Sequence, residues 1–421
     1  MANVYPFRAW RFSAEAGDMT ELVCPPYDII SDEQRRAYLA QNEHNIIRLE
    51  LPREGEDPYA EAGKTVKAWC EDGTLARDEE AAFYVYDIEF EVDNERKNVG
   101  GILAAVEISP FSEGVVLPHE WTLSKAKTDR LNLMKATNFN FSDIYSLYQA
   151  DTKAILDRVM ETAPLNDLVD GEGLRHRLWA ITDKDTIAEV QAAFDGVKLY
   201  IADGHHRYET ALNYKNWRLE QGLPVGGAAR VMMMLVEMSH PGLVVFPTHR
   251  LLRDLPDFDV NKLLTACEAD FAVERDLTLD DAQAKLAEAY DAGKKAFVVY
   301  AGGETSALLT LTNDTLMDSL LPEESAVSRQ LDVNVLHSGV LERVLGIDKE
   351  NMAQQINLTY TRILGEAIDG VQNGTYQCAI LLNPTRVSEI QGVAAAGEKM
   401  PQKSTYFYPK LITGLTMNEL D

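Results

Sequence analysis

The sequence predicts an α/β to α+β protein in which mixed sheets pack against helices. Three observations lead there. Residues 83–92 alternate, with Tyr84, Tyr86, Ile88, Phe90 and Val92 set between more polar residues, which is the pattern of a half-buried strand. The middle of the chain then alternates short apolar runs with amphipathic stretches. The last third continues in the same way, so strands and helices share one set of layers.

In order, Ser31 with Gln34 forms a capping box that starts a helix. Asp57 as N-cap, Pro58 at the first helical position and Gly73 beyond the end frame a helix over Asp57–Cys70, with Tyr59, Ala62, Val66 and Trp69 on one face. Asp93 and Asn94 supply turn chemistry between the strand over 83–92 and a hairpin partner over 99–108. Strands follow at 174–181 and 197–202, helices at 186–194 and 205–221, and buried strands at 230–238 and 243–251. Helices at 260–271 and 280–292, then strands at 295–300, 306–311 and 377–382, complete the pattern. Pro256 among several acids at 254–259 marks the expected boundary, giving a region 1–255 and an α/β region 256–421 whose last loop is expected to return to the site.

Composition narrows the function. The chain has 421 residues, 46% hydrophobic and 25% charged, with 40 basic against 67 acidic side chains and a net charge of −27. A chain this long can bury a core without staples. So acidic a surface disfavours nucleic acid and anionic membranes, both of which need clustered Lys and Arg. A phosphorylated small molecule needs only a local basic pocket. Cys24, Cys70, Cys267 and Cys378 are far apart and fit neither a zinc site nor a disulfide framework. Arg8 and Arg11 precede no apolar stretch, and no run spans a bilayer, so a cytoplasmic protein is expected.

The sharpest motif is Asp203-Gly204-His205-His206-Arg207. An apolar run ends at Asp203, Gly204 turns the chain, and a helix begins. Such a junction offers unbonded backbone N–H groups and the positive end of the helix dipole, and Arg207 suits bidentate contact with phosphate. The competing reading is a capped helix whose histidines satisfy nearby backbone; three adjacent cationic or imidazole groups favour the anion site. Asp203 is a candidate for holding a metal or orienting a histidine. Leu117–Lys135 is a locally basic stretch, in which Glu120 beside His119 is a candidate general base and Lys125, Lys127 and Arg130 are candidate holders of an anionic substrate. A solvated charged face is the alternative. Near the end, 400–410 is broken by two prolines, and Lys403 with Ser404 and Thr405 makes a candidate substrate loop. Cys24, in a rigid Cys-Pro-Pro turn, lacks an activating neighbour and is taken as structural. For Arg250, binding and burial with a partner weigh equally, and His337 is read as a core or cap histidine. Met232-Met233-Met234 is core material.

Asp203-Gly204-His205-His206-Arg207 resembles the phosphate signature of the ParB/sulfiredoxin superfamily, most of all its free serine kinase branch. Taken whole, the sequence is similar to the domain-of-unknown-function 1015 family, through Cys24–Asp28, Asn45–Pro52, His119-Glu120 with Asp129-Arg130, the motif above, Phe246–Arg250 and Met400–Lys410. It departs from ParB in having no basic helix-turn-helix region, which puts DNA partitioning in doubt. The resemblance implies a ParB/sulfiredoxin-like nucleotide-binding core in region 1–255 and a phosphotransferase acting between a nucleotide and a small hydroxylated metabolite, with serine or phosphoserine as the substrate. On this reading Glu120, His119 and Asp203 are catalytic and Gly204, His205, His206 and Arg207 grip nucleotide phosphates. Lys127, Arg130, Lys403 and Ser404 hold substrate, and Asp203 helps hold Mg²⁺, with ATP or ADP as co-substrate. The alternatives are a nucleotide-binding switch or scaffold and a phosphoserine-type phosphatase that uses no nucleotide. A homo-oligomer is left open.

Overall fold

The computed structural model describes residues 2–92, 94–122 and 124–421, the side chains of 124–126 excepted. Asp93 and the Lys125 side chain therefore lie outside the described residues. The chain divides into two units. The first comprises Met1–Pro118, Thr122–Leu243 and Pro409–Asp421; the second comprises His119–Trp121 and Val244–Tyr408.

The first unit is built on a nine-stranded mixed sheet. Its order runs Val116–Leu117, Leu199–Asp203, Ile144–Tyr148, Arg230–Glu237, Glu95–Glu107, Phe83–Val92, Arg175–Ile181 and Asn166–Val169, with Val4–Tyr5 paired to Glu95–Glu107. Leu199–Asp203 pairs parallel with Val116–Leu117 and antiparallel with Ile144–Tyr148. The alternating strand expected at 83–92 pairs along its whole length with Glu95–Glu107, and Asn94 takes the left-handed turn conformation, φ 59°. The local helix signals act as read. Ser31 and Gln34 close a capping box before Asp32–Gln41. The Asp57 carboxylate accepts the N–H groups of Tyr59 and Ala60 at the head of Pro58–Glu71. That helix buries Ala62, Val66 and Trp69, while Tyr59 turns its hydroxyl to Asp129 at 2.8 Å. Burying each large apolar side chain contributes about 1.5–3 kcal/mol.

The second unit holds a six-stranded sheet, antiparallel throughout, in the order Phe271–Leu277, Ser306–Leu311, Ala296–Tyr300, Cys378–Leu381, His249–Leu252 and Leu358–Thr361. The strand expected at 243–251 is in fact two. Val244–Phe246 pairs with Tyr406–Tyr408, and His249–Leu252 enters the six-stranded sheet. Pro247, which has no N–H to give a ladder, stands at the break. The division of the chain falls at Leu243–Val244 rather than 255–256. The acidic stretch that suggested the later boundary is a turn inside the second unit. Asp254 and Asp257 have positive φ, and the Gln377 side-chain amide clasps both backbone groups of Leu255 at 2.8 and 2.9 Å.

Candidate functional site

The strand Leu199–Asp203 is buried up to its last residue, and a register shift between Ile201 and Asp203 sets the direction in which Asp203 leaves the sheet. Gly204 then adopts φ 93°, ψ 27°. A Cβ there would lie 2.9 Å from Arg207 Nε, so both the conformation and the close approach call for glycine. The helix His205–Glu220 follows without a side-chain cap, and its first backbone bond runs from Tyr208 N–H to Gly204 O at 3.0 Å. The N–H groups of the first turn therefore face outward from the positive end of the helix.

Two cations converge on the Asp203 carboxylate. Lys410 Nζ lies 2.7 Å from Oδ1, and Arg207 Nη2 lies 2.6 Å from Oδ2. Arg207 Nη1 also donates to the Asp143 carbonyl. Burial works to raise the Asp203 pKa, but Lys410 and Arg207, with His205 adding to them, hold it well below the ordinary range. One carboxylate between two cations leaves the turn with an excess positive charge. His205 is buried and His206 half-buried, and both are engaged within the protein.

Beside this turn the structure brings in residues that the sequence reading did not single out. Asp143 is 6% exposed, and its Oδ1 has no hydrogen-bond partner among the described residues. Burial pushes its pKa up to about 7 against the pull of Arg207. Glu50 is buried too, accepts Ser142 Oγ–H at 2.6 Å, and is raised by burial. Nothing in the spacing marks Asp143: it is one acid ahead of the apolar strand Ile144–Tyr148. Lys410 and Glu50 did lie in segments that carry the family resemblance. Glu50, Arg130, Ser142, Arg207 and Thr210 border a cavity of about 40 Å³, which has room for water and not for a nucleotide.

The other expected site residues divide between the units. In the first, Lys127 pairs with Glu209 at 2.6 Å. Arg130 is not an open cation. Its Nε and Nη2 bond Asp129 at 2.8 and 2.5 Å, Nη1 donates to the Glu50 carbonyl, and the guanidinium lies 4.0 Å over the Tyr27 ring. In the second unit, His119 is buried with Nε2 3.0 Å from Thr405 Oγ1, and the Glu120 carboxylate accepts the Lys403 backbone N–H at 3.0 Å. Lys403 is exposed at φ 58°, and Ser404 spends its hydroxyl on the Pro401 carbonyl at 2.6 Å. Ser404 thus closes a turn instead of presenting its hydroxyl to substrate. Cys24 is buried, and burial with nearby Glu50 pushes its thiol well up, as suits a structural residue. Asp203 does not fit a Mg²⁺ ligand here, since both of its oxygens already face cations. Among the described residues no three His, Cys, Asp or Glu side chains gather as a metal site. No helix among them is long and apolar enough to cross a membrane.

Fold and site together define a mixed α/β protein with a cation-rich strand–glycine–helix turn. The chain belongs to the family described as a protein of unknown function, DUF1015, which it matches over residues 4–334. A search of curated proteins finds no match. Among solved structures, a conserved hypothetical protein from Pyrococcus furiosus overlays at 14% identity and TM-score 0.34, covering 70% of this chain and 87% of the other. A free serine kinase in complex with AMP overlays at 12% identity and TM-score 0.37, covering 73% and 89%. SbnI with a C-terminal truncation, from Staphylococcus aureus, overlays at 13% identity and TM-score 0.34, covering 75% and 87%.

Proposed function

We propose that this chain is a phosphotransferase that moves a phosphoryl group between ATP or ADP and the hydroxyl of a small metabolite, with serine as that metabolite. The observation that carries the reading is the pair Arg207 and Lys410 sharing one carboxylate beneath an uncapped helix N-terminus that Gly204 opens. Preorganised donors of this kind stabilise charge on a phosphoryl group in transfer. The choice of serine rests on the resemblance of Asp203–Arg207 to the free serine kinase signature.

In the forward direction the substrate oxygen attacks phosphorus, the bond to the nucleotide's bridging oxygen breaks, and the hydroxyl proton must go to a base. Asp203, held acidic by two cations, is a poor acceptor. Within the same unit Asp143 suits the task, because burial lifts it to about 7, near working pH. In reverse the same carboxyl returns the proton. The cavity between Glu50 and Thr210 is too small for nucleotide, so the phosphates bind on the outward face of the turn.

Calorimetric titration with ATP and ADP tests the binding step. Arg207→Ala removes a charge-assisted contact worth roughly 1.5–3 kcal/mol, so affinity drops about tenfold or more. Wild-type affinity in this variant would move the phosphate site away from the turn.

A further inference from the structure

Arg250 is 0% exposed, on the strand His249–Leu252 of the second unit. A buried guanidinium is ordinarily matched by a carboxylate. Here Nη1 donates to the Thr248 carbonyl, Nε and Nη2 approach His337 Nε2 at 3.3 and 3.1 Å, and the Tyr360 ring lies 5.2 Å away. Among the described residues no carboxylate pairs with it; Glu120 acts on it only at longer range. A full positive charge is therefore buried on neutral acceptors.

His337 passes that charge on. Its Nε2 accepts from an arginine, so the ring proton must sit on Nδ1, which is then a donor polarised by the cation behind it. Burial, and then Arg250, hold His337 neutral, in keeping with the acceptor role. The ring lies in a π-helical turn, His337–Glu342, a backbone form that recurs at functional sites. His337 and Ser338 of this turn border a cavity of about 240 Å³. Trp121, Leu321, Met352 and Tyr360 give that cavity an apolar, partly aromatic wall, and Lys399 stands at its edge with Nζ 4.7 Å over the Trp121 ring. Trp121 is 59% exposed, a large aromatic surface left beside the opening.

We infer that this cavity is a second ligand site, separate from the Asp203 turn, which takes a small organic anion with a flat apolar body. The acid group meets the His337 Nδ1–H and Lys399, and the body lies along Trp121 and Tyr360. The shared chemistry is a carboxylate or a phosphate on an aromatic frame, and the probes separate the two.

The full chain is titrated with indole-3-acetate, with 1-naphthyl phosphate and with the neutral indole-3-acetamide, following tryptophan fluorescence and thermal midpoint. At least one anion is expected to bind at least tenfold more tightly than the amide, and the one that binds identifies the acid group. Arg250→Met is expected to abolish that preference. Ala353→Trp, which fills the cavity from its wall and leaves Arg250 intact, is expected to abolish binding. Arg207→Ala is expected to leave binding unchanged, so failure of the nucleotide reading does not affect this result. Equal binding of anion and amide, no binding of either anion at millimolar concentration, or wild-type binding in Ala353→Trp would each overturn the inference.

Discussion

Arg207 and Arg250 both carry a guanidinium largely withdrawn from water, and they are neutralised in opposite ways. Arg207 shares the Asp203 carboxylate with Lys410, in a cluster whose charges are set against one another by the protein itself. Arg250 rests on a carbonyl, an imidazole and an aromatic ring. A buried ion pair is strongly destabilised when one partner is removed, because the other charge is left alone. A buried charge without a counterion is already in that state. The first region therefore depends on its own carboxylate for stability, and the second depends on something bound.

The largest effect is expected at Asp203. Asp203→Asn leaves Arg207 and Lys410 without their shared anion, and stability should fall by about 3 kcal/mol, seen as a lower denaturant midpoint. By contrast Arg250→Met removes an unmatched charge, and in ligand-free protein it should cost less than about 1 kcal/mol or even stabilise. If the two losses are equal, the contrast between the regions is wrong.

Next comes pH. The folded state holds a proton on Asp143 up to about pH 7, whereas the unfolded chain releases it near pH 4. Stability from this group is therefore complete below about pH 4 and is lost as pH rises through about 7. Asp203, held low, acts in the opposite sense: its contribution is present above the unfolded value and is lost as pH falls. Asp143→Asn should flatten the fall in thermal midpoint between about pH 4 and 7 and leave the acid-side loss intact. It should also lower turnover by about 10²–10⁴-fold. Glu120→Gln should lower turnover less than about tenfold; a larger fall would return the role of base to Glu120. The smallest effect belongs to Lys127. Its pair with Glu209 is part-exposed, so Lys127→Met should cost less than about 1 kcal/mol and leave nucleotide affinity unchanged. A tenfold loss of affinity would show that Lys127 does hold an anion.

Local signals carry much of the fold. Caps at Ser31 and Asp57, the alternation through Phe83–Val92 and the glycine turn at Gly204 are decided by residues near in sequence, and they are legible there. The site is legible only where its chemistry is contiguous, as in Asp203–Arg207. Asp143 gives no local sign, since its raised pKa comes from burial under strands that close over it from distant segments. Arg130 misleads for the same reason: a basic residue in a basic stretch looks open until Asp129, Glu50 and Tyr27 are seen around it. Pro247 is visible in the sequence, yet its effect depends on the separate partners of Val244–Phe246 and His249–Leu252.

The measurement that bears most directly on the proposed activity follows serine, phosphoserine, ATP, ADP and free phosphate together in one reaction, started from either side, with wild type and Arg207→Ala. The account predicts that phosphoserine and the nucleotide pool change in equal amounts in the wild type and that the rate drops at least tenfold in the variant. Release of free phosphate from phosphoserine at an unchanged nucleotide pool would contradict it in favour of a phosphatase. Nucleotide binding without transfer in either direction would contradict it in favour of a switch.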